Sequence, residues 1–182
     1  MKHSQVLTIL TKHPWLVYGV DIAKGFSNKG FSKEDFVNLA KIPKKLAKTL
    51  LYYLTKYDLL KHILINDKVF YIPTGNGLRA FKIVKRIALY RDKIYLYELK
   101  NMYVLIILKR RRISAYTVSK ETVHKVREVL KRGHELSIDE MATILNMRKD
   151  VVIKILRILE VLGSVHYKVT KDNVKKYSIM KT

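Results

Sequence analysis

The sequence predicts an α+β chain, mainly helical, built from two copies of a helix–helix–hairpin unit joined by a helix and a small β-meander. Three observations carry this expectation. Shifting the 182-residue sequence by 105 positions lays residues 32–60 over residues 137–165 without a gap. Chemistry matches where a packed core needs it: Ser32 falls on Ser137, Asp35 on Glu140, Phe36 on Met141, Leu46 on Val151, Leu50 on Ile155, Leu51 on Leu156 and Leu54 on Leu159. Each repeated segment is followed by two short β-rich runs. Apolar residues make up 48% of the chain and are spread along its whole length, which predicts a folded protein.

In chain order, residues 4–13 read as a helix stopped by Pro14, and residues 15–30 carry no assignable pattern. Ser32 with Asp35, and Ser137 with Glu140, are N-cap serines with an acid three residues on, so each starts a short helix. Pro43 stands at the start of the next helix, where its fixed φ and missing N–H are tolerated. That helix buries Leu46, Leu50, Leu51 and Leu54 as a stripe, and its copy repeats the stripe up to Gly163, a helix-ending residue. Residues 62–65 and 69–72, joined by Asn66-Asp67, form one predicted hairpin; residues 165–169 and 176–179 form the other. Ser119 caps a helix that ends near Gly133. Between the copies, residues 77–91 show apolar spacings of three and four and predict a helix, while 94–98, 102–108 and 113–118 predict a three-stranded meander. The chain therefore divides into units at 1–76 and 119–182, with 77–118 between them.

Charge points to the partner. The chain carries 37 Lys and Arg against 15 Asp and Glu, a formal +22 that draws polyanions from a distance. Residues 1–90 hold 16 basic and 5 acidic groups, whereas residues 119–182 hold 14 and 8, so the first half is the expected main contact. There is no cysteine and the six histidines lack metal-ligand spacing, which excludes disulfides and thiolate zinc sites; no metal, cofactor or small-molecule ligand is expected. Carboxylates are scattered and no phosphate-binding glycine loop or nucleophile turn is visible, so the chain is not expected to be an enzyme. The apolar run 102–108 is too short to span a bilayer and the N-terminus has no long apolar stretch, which together predict a cytoplasmic protein.

Phe36-Val-Asn-Leu-Ala-Lys-Ile and Met141-Ala-Thr-Ile-Leu-Asn-Met, each followed by a helix and a hairpin, resemble the winged helix-turn-helix superfamily. So does Tyr71-Ile-Pro-Thr-Gly-Asn-Gly-Leu-Arg-Ala, which is similar to the strand-to-helix exit of small prokaryotic regulators. The absence of Cys, the single Gln and the abundance of Ile, Lys and Tyr resemble archaeal composition. The resemblance implies that the second helix of the motif enters the DNA major groove. In the first copy its outward residues are Lys44, Lys45, Lys48, Thr49 and Tyr52, with Lys41 in the turn. In the second copy Arg148, Lys149, Lys154 and Arg157 are basic, but Val152, Ile153, Ile158 and Val161 broaden the apolar face. That helix is expected to be packed, with Ile153 covered, against the other half of the chain or a second subunit. Lys171 and Lys175 in the second hairpin, and Arg110 and Arg111 in the basic run 109–112, are further expected phosphate contacts. The implied function is a double-stranded DNA-binding transcription regulator, acting as a homodimer on two half-sites. The alternatives are a protein-interaction or polymerase-associated tandem winged-helix factor, and a plasmid or virus replication or partition factor. The twelve tyrosines are read as sheet and core residues in preference to a stacking platform for single strands.

Overall fold

Ser32 and Ser137 start helices in the same way. In the computed structural model, which describes residues 3–26, 29–132 and 135–180, each serine hydroxyl accepts from the backbone N–H three residues on. The acid there, Asp35 or Glu140, accepts from the serine's own N–H, so both capping boxes are complete. The helices so begun, α3 (Lys33–Ala40) and α7 (Ile138–Ile144), lead into the longer α4 (Lys44–Lys56) and α8 (Lys149–Val161). Hairpins β1 (Leu60–Ile65)/β2 (Lys68–Pro73) and β7 (Val165–Val169)/β8 (Lys175–Ile179) follow.

The repeat extends to the backbone. Lys41 and Asn146, equivalent at an offset of 105, both adopt positive φ (50° and 49°) in the turn between the two helices, and Asp58 and Gly163 do the same (55° and 65°) after the second helix. Phe31 exchanges both backbone hydrogen bonds with Tyr71, and its equivalent Leu136 does so with Tyr177, tying the residue before each cap to the second hairpin strand. Asn66 and Asp67 both have positive φ, as a tight two-residue hairpin turn with the right twist requires.

The first unit has two helices in front, α1 (His3–Lys12) and α2 (Leu16–Lys24), and the second has α6 (Lys120–Lys131). Helix α2 occupies residues 16–24 of the stretch that carried no readable pattern. It is buried almost all round, through Leu16, Val17, Tyr18, Gly19, Val20, Ile22 and Ala23, and so has no amphipathic stripe to see. Helix α6 ends at Lys131, and Gly133, the residue expected to mark its end, lies outside the described residues.

The connection between the units differs from the expected helix and three strands. Helix α5 (Gly75–Ile83) is shorter, and β3 (Lys85–Tyr90) pairs with β4 (Ile94–Leu99). With β5 (Met102–Lys109) and β6 (Arg112–Ser119) these make a four-stranded antiparallel meander in the order β3-β4-β5-β6. The helical spacing of Val84 and Ala88 yielded to strand pairing, which completes the hydrogen bonds of one edge of β4. Gly77 permits α5 to dock, because a Cβ there would overlap the Leu59 carbonyl oxygen.

Both faces of the meander are covered. Tyr97, Leu99, Val104 and Ile106 join the core of the first unit, while Ile94, Leu96, Leu105 and Val118 join that of the second. Alternation along a strand thus sends successive residues into two different cores. Asp21 of α2 accepts from the Tyr97 hydroxyl (2.9 Å) and pairs with Arg86 of β3, and the Tyr18 hydroxyl donates to the Ala40 carbonyl (2.6 Å). Burial first, and then the Asp21 charge, push the Tyr97 hydroxyl pKa far above its ordinary value, so it remains a donor. No described helix is long and apolar enough to cross a membrane.

Candidate nucleic-acid interface

Helix α4 buries Ala47, Leu50, Leu51 and Leu54 against its own unit and leaves the opposite side to water. Lys44, Lys45, Lys48, Thr49 and Tyr52 all stand exposed there, Tyr52 at 60%, and Lys41 stands exposed in the preceding turn. The Thr49 hydroxyl donates back to the Lys45 carbonyl (3.0 Å), so toward a ligand it offers lone pairs. No acid occupies the first turn of α4. Lys44 and Lys45 therefore add to the positive end of the helix dipole instead of compensating it.

The fold brings a second basic group to this helix. The β5–β6 turn places Arg110 and Arg111 beside its N-terminal half, where they line a cleft of about 410 Å³ with Pro43, Lys45, Leu46 and Thr49. Lys48 faces a neighbouring groove bordered by Ser32, Lys33, Glu34 and Lys68 of the first hairpin. Among the described residues, Lys41, Lys44, Lys45, Lys48, Lys68, Arg110 and Arg111 enter no ion pair. Repulsion among unpaired cations on one face is relieved when an anion arrives. Sequence reading missed Lys68; its signal is its place directly after the Asn66-Asp67 turn, where it pairs with Ile65 in register.

The chain matches no protein-family model and no curated protein. The chemistry of this face rests on its geometry.

The second copy arranges its cations otherwise. Arg148 pairs with Asp150 (2.9 Å), Lys149 with Asp139 (2.9 Å), and Lys154 with Asp150 (3.1 Å) while lying over the Tyr116 ring of β6. Lys171 is exposed in the hairpin turn and Lys175 lies over Tyr167, 4.2 Å from the ring centre. Lys168 pairs with Glu135 and Lys176 with Glu140. Helix α8 packs on β3 and β6 as well as on its own unit, and Val152, Ile155, Leu156, Ile158 and Leu159 are all buried. Most of its broad apolar face is thus covered within the same chain, but Val161 is only half-buried and Ile153 remains 47% exposed. The cover expected over Ile153 does not come from within this chain.

Proposed function

We propose that the chain binds double-stranded DNA and regulates transcription, with α3 and α4 as a helix-turn-helix, β1–β2 as its wing, and α4 as the helix that enters the major groove. The observation that carries this reading is the open face of α4, where unpaired Lys45 meets Arg110 and Arg111 in one cleft and Lys44 and Lys48 stand exposed on the same helix. The groove is wide enough for one helix, and lysines and arginines on that helix replace the counterions condensed on the phosphates. The second unit supports the same division of labour, because α8 is held between its own unit and the central sheet and its lysines are neutralised. Val152 and Ile158, two of the apolar residues that favoured a protein-partner reading, are covered within the chain, whereas Ile153 stays half-exposed.

The test is binding of labelled duplexes, including fragments of the protein's own upstream region, with competitor DNA and at several salt concentrations. Lys44→Ala combined with Lys48→Ala should weaken binding and flatten the log-log salt dependence by about 0.9 for each phosphate no longer neutralised. Unchanged affinity and slope would remove α4 from the groove. A second copy bound to a second half-site completes the proposal; light scattering of the free and the DNA-bound chain reads the mass, and a monomer in both states argues against it.

A further inference from the structure

The turn end of the central sheet carries charge that α4 does not use. The register Ile94–Ile107, with the Leu108 amide donating to the Lys93 carbonyl (2.8 Å), places the β3–β4 turn and the β5–β6 turn at one end of the sheet. Two strand spacings, about 10 Å, separate them. On one face the β5–β6 turn meets α4. On the other, Arg91 of the β3–β4 turn borders a cleft of about 520 Å³ walled by Ile153 and Arg157 of α8 and by Tyr167 and Lys175 of the second hairpin. Arg91, Lys93, Arg157 and Lys175 are exposed and, among the described residues, enter no ion pair. Glu160 on the cleft wall and Asp92 in the turn are the acids beside them.

We propose that this cleft is a second phosphate-binding surface, so that a duplex held by α4 continues over the turn end of the sheet onto Arg91, Arg157 and Lys175 of the same chain. This rests on the reading of α4 above. A duplex backbone fits better than an unpaired strand, because the aromatic rings here are engaged by the protein's own cations. Arg91 lies 4.9 Å from the centre of the Tyr90 ring and Lys175 4.2 Å from that of Tyr167. Those contacts fix the charges in place and leave less ring surface for stacking on bases. Two basic faces joined by a rigid sheet make one extended contact, and its salt dependence counts the phosphates touched.

The experiment titrates the full-length chain against duplexes of about 10 and about 30 base pairs by fluorescence anisotropy over a range of salt. The slope is the readout, because a longer lattice raises affinity statistically without adding phosphates per bound protein. The wild type should show the steeper slope on the long duplex. Replacing Arg91, Arg157 and Lys175 together by alanine should lower that slope by about 2.7, three phosphates at about 0.9 each, and leave the short-duplex slope unchanged. All three side chains are exposed, and a thermal midpoint equal to wild type confirms that the variant is folded. A wild-type slope independent of duplex length, or a triple variant that keeps the wild-type slope on the long duplex, overturns this proposal alone. Failure to bind either duplex, or no effect of Lys44→Ala with Lys48→Ala on either slope, overturns the α4 reading and this proposal with it. A single-stranded probe bound more tightly than the duplex, with the loss confined to that probe in the triple variant, overturns the choice of duplex.

Discussion

Helices α4 and α8 are the same 13-residue element at an offset of 105, and the fold treats them differently. Helix α4 is buried along one stripe and opens its other side to water, whereas α8 is buried on two sides, between its own unit and the central sheet. The residues that decide this are few. Lys45 in α4 corresponds to Asp150 in α8, Lys48 to Ile153, Tyr53 to Ile158 and Lys56 to Val161. In α8 an acid sits in the first turn, where the helix dipole favours it, and holds both Arg148 and Lys154. In α4 the same place holds a lysine, which is unfavourable at the positive end of the helix dipole. One supersecondary unit can thus be a packed structural element or an open charged one, according to its solvent-side positions.

The buried side of α8 offers the most direct way to abolish the contrast. Ile158 has no exposed surface, so Ile158→Ala should destabilise the chain by about 2–5 kcal/mol, the usual range for emptying such a site. Lys48→Ala in α4 should leave the stability within about 0.5 kcal/mol of wild type. Equal losses at the two positions, measured by denaturant unfolding, would mean that α4 is as enclosed as α8.

The tie between the first unit and the sheet comes next. Asp21→Ala removes the acceptor of the buried Tyr97 hydroxyl and the partner of Arg86, and should reduce stability by about 1–3 kcal/mol. The double variant Asp21→Ala with Tyr97→Phe should recover part of that loss, since no orphaned hydroxyl remains. No recovery in a double-mutant cycle would assign the effect to Arg86.

Transplanting the residue of α8 into α4 approaches the same contrast from the other side. Lys45→Asp should stabilise the chain by about 0.3–1 kcal/mol through the helix dipole while weakening duplex binding. A variant that gains stability and keeps its affinity would show that Lys45 is a merely solvated residue.

The smallest effect is in the caps. Lys176 first, and then the Ser137 amide, hold the Glu140 carboxyl at about 2, below its ordinary value of 4.5. Asp35 is lowered by the Ser32 amide and hydroxyl, with no lysine among the causes. Because the folded-state value is depressed, the unfolded chain binds more protons between the two values. The contribution of Glu140 is therefore complete above about 4.5 and is lost as pH falls toward about 2. Thermal midpoints at pH 5 and pH 3 should differ less in Lys176→Ala than in wild type, and an identical difference would remove the lysine from the effect.

Most of the two units is legible in the sequence, because what specifies them is local. Ser32 and Ser137 announce their caps, Pro43 and Gly163 mark helix boundaries, Asn66-Asp67 marks a turn, and the leucine stripe of α4 implies the lysine face opposite it. The elements that stayed hidden are those whose state depends on distant partners. Helix α2 is apolar on nearly all sides because α3, α4 and α5 pack around it, and β3 is a strand because β4 lies beside it. The duplicated unit, the charge excess and the outward residues of α4 follow from sequence without any tertiary information, since capping, turn chemistry and period act over a few residues. Only the folded chain makes the meander a shared core with both faces covered, encloses α8 against it, and stands Arg110 and Arg111 beside Lys45. Those outcomes depend on residues far apart in the chain, more than fifty positions in the case of Lys45 and Arg110, and no local pattern encodes them.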